Sequence, residues 1–392
     1  MKKSVLTLAV AAALAAPLVA QADTILYGSA RVSVDYNDED TIAGFDFSRP
    51  SGLSIQSAQS WDVVNNDSRL GVLGSEDLGG GLSAVYQYEF AVDVTEGGNF
   101  NESNRPKWVG LKGGFGTLTL GTQETPYYHV AGVTDIFNSG KTFTDTFWLG
   151  GSFNGFDIDF SSNTTRGTGS LTRYDNSVYY TTPEFGGFSG EVMLVMKGNQ
   201  NSPNYSDSID VWNIAAKYSN GPFFAGVSYI ALNGSSDVPL SDSGGITLDA
   251  DLDLDQWVVG LGYNSGPFSV GFIYEQGTLN TFGLLTNFTI DGVLVGGDDA
   301  TNYYLTGSYS FGNNVISAAY GQLEPGTRGT GNIDNYVVGY QYNLSKRTRL
   351  WVEYIGRSAD PETHPLGGGT NIVYRDLFAD QSIFSVGTRV DF

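Results

Sequence analysis

The sequence predicts an all-β chain, a transmembrane, antiparallel, up-and-down β-barrel of 16 strands. Three observations predict it. Apolar and polar residues alternate with period two in segment after segment, so opposite faces of each strand meet different media. The segments number sixteen, an even count of the kind bacterial barrels require. Beyond residue 22 no apolar run approaches the length of a membrane helix. A closed barrel crosses lipid without such a run, because its strands satisfy one another's backbone groups.

The first 22 residues read as an address. Lys2 and Lys3 precede an Ala-rich apolar stretch, Val5 to Val19, and Ala20-Gln21-Ala22 is a small-residue cleavage site before Asp23. The barrel domain is expected to span residues 23–392. Its strands are expected at roughly 24–36, 68–77, 82–94, 105–115, 117–124, 173–182, 187–197 and 209–219, and then at 223–232, 256–264, 267–277, 301–311, 314–323, 333–344, 348–357 and 381–392. The last is representative: Phe384, Val386, Thr388, Val390 and Phe392 share one face, Ser385, Gly387, Arg389 and Asp391 the other. Links alternate in length. Asn220-Gly-Pro222, Asn264-Ser-Gly-Pro267 and Gly312-Asn-Asn314 have the Gly and Asn that tight hairpins need. Residues 198–208, 233–255, 278–300 and 358–380 are long and polar. A soluble sandwich or β-solenoid also alternates. Aromatics near the ends of the apolar faces (Tyr86, Tyr88 and Phe90; Tyr340 and Tyr342; Phe384 and Phe392) favour two lipid–water girdles instead.

Composition narrows the functions. Against 20 Lys+Arg stand 42 Asp+Glu, a formal charge of -22 that becomes two units more negative once the leader and its two lysines are removed. Such a chain is no nucleic-acid partner. There is no Cys, hence no thiolate site. The two histidines, His129 and His364, lack ligand spacing, so neither a His-based metal centre nor a Ser–His hydrolase is expected, and no enzyme. No cofactor is expected beyond Ca²⁺ or Mg²⁺ shared with lipopolysaccharide at Asp249, Asp251, Asp253 and Asp255, which form an acidic row before a strand.

Leu26-Tyr-Gly-Ser-Ala-Arg31, Ser68-Arg-Leu-Gly-Val-Leu-Gly74, Trp108-Val-Gly-Leu-Lys112, Leu120-Gly-Thr122 and the terminal Phe392 resemble, in order along the chain, the general sixteen-stranded trimeric porins of Gram-negative bacteria. The resemblance implies a homotrimer in the outer membrane, contacting lipopolysaccharide and phospholipid, with a water-filled lumen for passive diffusion of small polar solutes and ions. It implies a third loop, here about 123–172, folded into the lumen, and a first strand pairing with the last so that Asp23 lies near Phe392. Phe392 resembles the aromatic signal read by the barrel-assembly machinery.

The resemblance also assigns a constriction. Asp135 matches the loop carboxylate, and Lys141 stands where a further acid is common, weakening the negative side. Arg69 and Arg105 match the basic wall; Arg173 and Arg31 join it, Arg31 lying two residues past the family position but on the inward face. Arg at the lipid midplane costs ~2–4 kcal/mol and in a wet lumen little, which agrees with that placement. The expected function is weakly charge-selective diffusion through an acidic loop facing a basic wall, with the acidic chain leaning to cations. A substrate-specific channel for a sugar or other nutrient, or a structural or adhesive barrel, are the alternatives. The first would show an aromatic track, for which Trp351 and Tyr27 have the inward parity.

Overall fold

The protein is described by a computed structural model. It describes residues 23–45, 53–96, 105–139, 171–196, 209, 211–232, 236–238, 248–250, 254–277, 289–290, 293–294, 299–324, 332–359, 363–366, 370–373 and 381–392. The leader expected at 1–22, Lys141, Asp251 and Asp253 lie outside them, as does the side chain of Asp249.

Sixteen strands form one closed antiparallel sheet. They are β1 (Asp23–Phe45), β2 (Leu53–Asn65 continued by Arg69–Gly79), β3 (Leu82–Ala91), β4 (Lys107–Gly113), β5 (Gly116–Glu124), β6 (Arg173–Thr181), β7 (Phe188–Val195) and β8 (Val211–Asn220). The ring continues through β9 (Phe223–Leu232), β10 (Leu254–Ser265), β11 (Phe268–Gly277), β12 (Ala300–Phe311), β13 (Asn314–Glu324), β14 (Ile333–Asn343), β15 (Thr348–Ala359) and β16 (Gln381–Asp391). Each strand pairs with its sequence neighbours, and β16 closes on β1 from Ser29↔Asp391 to Glu39↔Gln381. Closure leaves no long edge for other chains to join. Tight turns carry glycines of positive φ, such as Gly221, Gly266 and Gly312 (φ 56, 58 and 59).

Two features depart from the expectation. The first strands run further than the alternation suggested, because Leu53–Asn65 pairs with the upper half of β1. The sequence there is rich in Ser and Gln and hides its period. Asp23 is also not beside Phe392. Gly28 and Phe392 exchange both backbone hydrogen bonds (2.9 and 3.1 Å), while Asp23 pairs with Ser75 five residues on, about 16 Å away at strand rise.

The outward faces carry the membrane signature. Trp212, Tyr229, Trp257, Tyr274, Tyr303, Tyr320, Tyr336, Tyr354, Phe384, Tyr36 and Trp61 form a belt from β8 round through β16 to β2. Its members are cross-strand partners or neighbouring rings, such as Trp212–Tyr229 at 5.1 Å and Trp257–Tyr274 at 5.2 Å. A second belt includes Phe188–Tyr218, Phe223–Tyr263 and Phe268–Tyr309. Amphipathic rings settle at the headgroup level, so two belts mark two interfaces. Among the described residues of β4 and β5, both belts lapse, and Val109, Leu111, Leu118 and Leu120 point outward instead.

Candidate functional site: the lumen loop and the basic wall

The segment after β5 turns inward and packs on the face opposite the exposed apolar side chains. Thr125 caps a short helix, α1 (Pro126–Ala131): its side chain accepts from the Tyr128 N–H at 2.9 Å, and Pro126 supplies a preset φ at the first position. The Thr125 hydroxyl also donates to the Leu171 carbonyl, tying the loop's entry to its exit. A 3-10 turn, Gly132–Thr134, follows and presents Asp135.

Three attachments fix this loop to the wall. Tyr127 is fully buried; its N–H donates to Asn213 on β8 (2.9 Å) and its hydroxyl to Glu275 on β11 (2.5 Å), whose other oxygen accepts from Asn302 at 2.6 Å. Val130 and Ala131 join Ile230, Val258 and Ile273 in an apolar cluster inside the ring. At the tip, Glu353 on β15 accepts the successive backbone N–H groups of Asn138 (2.8 Å) and Ser139 (2.9 Å). Buried donors and a buried carboxylate thus satisfy one another, where either alone would be costly.

His129 on α1 is the centre of a charge chain. Its Nδ1 lies 3.1 Å from Glu191 on β7 and its Nε2 3.7 Å from Glu124 at the end of β5. Glu191 also meets Lys217 at 2.5 Å, and Glu124 meets Arg173 at 3.4 Å. Burial works against the imidazolium, but the ion pair with Glu124 and the hydrogen bond to Glu191 outweigh it and push His129 up to about 9. The sequence suggested a loop histidine without a role; its partners come from strands far away in the chain.

Across the lumen stands the wall. Arg31 on β1 is directly opposite Arg389 on β16, which is directly opposite Arg349 on β15. Such partners sit about 5 Å apart at Cβ. Asp391 serves both Arg349 (2.5 Å) and Arg389 (2.7 Å). Arg31 has only the Ser29 hydroxyl at 3.0 Å and no ion pair among the described residues. Asp135, at the loop tip, has none either. It feels the field of Arg31, Arg69 and Arg389 together with that of Asp67, and enclosure by the barrel raises its carboxyl above the ordinary value. Asp135 and Arg31 thus act on each other electrostatically across the lumen.

The other expected arginines have different settings. Arg105 is buried between Asp67 (2.6 Å) and Glu89 (3.4 Å), and Arg69 stands 4.0 Å from the same Glu89. Asp67 reaches Arg105 through a bulge: pairing with β1 shifts by one residue between Val32↔Asn65 and Ser29↔Arg69, and Asp67 adopts φ 59 there. Arg173 pairs with Glu124 and lies over the Tyr128 ring (5.7 Å), so it clamps the loop's entry. Arg349 and Arg389 were not singled out from sequence, although Arg389 showed inward parity. Asp255 faces outward and accepts from the Tyr229 hydroxyl at 2.6 Å. Phe392 is half exposed, its ring lying over Gly28.

A wide closed barrel, belted by aromatics outside and crossed by a loop that faces a charged wall inside, defines a membrane diffusion channel. A family model described as Gram-negative porin matches residues 7–356, and the chain belongs to that family. It resides in the outer membrane of a Gram-negative bacterium. It is 29% identical over 363 residues to the major outer membrane protein P.IB of Neisseria gonorrhoeae, covering 90% of this chain and 92% of that protein. It is 29% identical over 359 residues to outer membrane porin protein 32 of Delftia acidovorans, covering 90% and 88%. The fold is similar to the anion-selective porin from Comamonas acidovorans, with TM-score 0.66, 21% identity and coverage of 95% of this chain and all of that one. It is also similar to the trimer form of OmpT from Vibrio cholerae, with TM-score 0.58, 15% identity and coverage of 95% and 99%. Two of these relatives are porins by name.

Proposed function

We propose that this porin carries small hydrophilic solutes by passive diffusion and that its slot favours anions. The observation behind this is the guanidinium of Arg31, without a carboxylate partner among the described residues and set in register with Arg389 and Arg349. Around the slot, Arg105 is matched by Asp67, Arg69 shares Glu89, and Arg349 and Arg389 share Asp391. What is left over is Arg31 and one further cation against Asp135. The acidic composition acts mostly away from Arg31: Asp35 and Asp62, cross-strand partners on β1 and β2, lie about 13 Å further along the strand. Screening confines a field to about 8–10 Å, so the charges beside Arg31 outweigh those acids. This replaces the lean to cations that net charge alone suggested. The name of the Comamonas relative agrees with it. In planar bilayers under a salt gradient, the reversal potential is expected to have the sign of chloride; a potassium sign would refute the preference.

No covalent step is involved, and no enzyme activity or cofactor is proposed. A substrate-specific channel is the weaker reading: Trp351 is 1% exposed and the Tyr27 hydroxyl is bound to Glu89 at 2.9 Å, so neither builds a track. The chain is proposed to lose its leader after Ala22 and to be inserted through recognition of Phe392. The divalent-cation expectation for the acidic row rests on sequence, with Asp255 alone among its four side chains described.

We also propose that the beltless face of β4 and β5 is the subunit contact of a homotrimer. Aliphatic side chains suit a protein neighbour, and headgroup-level rings are not needed there. Leu111→Asp would bury an unpaired carboxylate in that contact at a cost of several kcal/mol. The expected result is loss of the trimer band on native gels with a heat-modifiable monomer retained.

A further inference from the structure

Four glycines lie under the loop: Gly226 on β9, Gly260 and Gly262 on β10, and Gly271 on β11. Gly226 pairs directly with Gly260, and Gly262 with Gly271, so they form a compact recess in the lumen wall. None has a positive φ, so the strand backbone itself accepts any residue there. What excludes a side chain is chiefly the loop, with the Thr306 hydroxyl on β12 also 2.9 Å from a Cβ at Gly271. A Cβ at Gly260 would stand 2.6 Å from the Val130 carbonyl oxygen, and one at Gly271 2.3 Å from that of Val133. At Gly226 and Gly262 the nearest atoms are methyl carbons of Val130 (3.0 Å) and Val133 (2.5 Å).

The recess therefore decides how deeply residues 130–133 sit. Asp135 follows immediately, and its N–H bonds back to the Gly132 carbonyl at 3.1 Å, so it moves with that turn. The recess is on β9–β11, while the charges facing Asp135 are on β1, β2 and β16. Any lift of the turn off its seat carries Asp135 toward the arginines and narrows the gap between them.

We propose that Gly226, Gly260, Gly262 and Gly271 are positioning residues that set the bore of the channel by seating the Val130–Val133 turn. The inference rests on the channel reading and extends it to the residues that fix pore size. Interiors deform little, so a methyl group that meets a backbone atom is relieved by moving the whole turn. A methyl group that meets a side chain is relieved by trimming that side chain.

The two kinds of clash give a differential test by single-channel recording of purified protein in lipid. Gly271→Ala is expected to lower conductance about 1.5-fold in barrels that keep wild-type heat-modifiability. Gly262→Ala should lower it less. Val133→Ala should restore conductance in the Gly262→Ala background but not in the Gly271→Ala background, where the obstruction is a carbonyl. Unchanged conductance in folded Gly271→Ala, or its restoration by Val133→Ala, would overturn the assignment. Should Gly271→Ala not fold, unchanged conductance of Gly262→Ala, or failure of Val133→Ala to restore it, overturns it equally. A wild-type chain that carries no current would instead defeat the channel reading itself.

Discussion

The double variant Arg31→Ala/Arg389→Ala is expected to reverse the charge preference of the pore. Among the described residues of the wild type, the slot holds Arg31 without a carboxylate partner, and Arg349 and Arg389 sharing Asp391, against Asp135, which has no ion pair. Removing Arg31 and Arg389 leaves Arg349 matched by Asp391, and Asp135 then faces only Arg69, which shares Glu89 with Arg105. An excess of one positive charge becomes an excess of one negative charge among these residues. Across ~5 Å at an effective dielectric near 20, one unit charge acts on an ion with roughly 3 kcal/mol before screening. A tenfold or greater fall in the anion-to-cation permeability ratio is therefore reasonable. Reversal potentials in a salt gradient measure it, and the sign should change. Arg105→Ala provides the contrast. That guanidinium is buried against Asp67 and Glu89, so its loss should disturb the β2 bulge and folding yield more than selectivity. Retention of anion preference by the double variant would mean that the field is made elsewhere.

The barrel was legible because lipid imposes one rule on every strand. From β3 to β16 the alternation placed strand ends within a few residues. Leu53–Asn65 was missed because Ser and Gln occupy both of its faces. The site was half legible. Arg69, Arg105 and Asp135 carry family motifs, and parity placed Arg31 inward. Arg349 and Arg389 belong to no motif; they matter because closure of β16 on β1 and pairing with β15 bring them beside Arg31. Glu353 and the four recess glycines are invisible for the same reason. A glycine under a loop looks in sequence like any glycine in a strand, and only the seated Val130 and Val133 show what it excludes. Long-range pairing is a property of the closed ring, and a linear pattern cannot report it.

Alkaline pH is expected to loosen the loop, with His129 as the group that titrates. As imidazolium it donates from both nitrogens, one toward Glu191 and one toward Glu124; as neutral imidazole it has a single donor and cannot serve both. The groups facing it are Glu124 and Arg173 from β5 and β6, Glu191 and Lys217 from β7 and β8, and the Tyr179 hydroxyl at 3.0 Å. Its pKa is raised from 6.5 to about 9, so the stabilisation is complete below the ordinary histidine value and is lost as pH rises through about 9. The contribution is on the order of 2 kcal/mol after allowance for screening by lumen water. Tyr127 and Glu353 still hold the helix and tip, so the barrel stays folded and the effect is local. Single-channel recordings should be quiet at neutral pH and show added current noise and partial closures above about pH 9. His129→Phe should show that noise already at neutral pH and lose the alkaline step, while Lys217 keeps Glu191 matched. An alkaline step that persists unchanged in His129→Phe would assign the titration to another group, and a wild type quiet through pH 10 would show that the clamp does not restrain the loop.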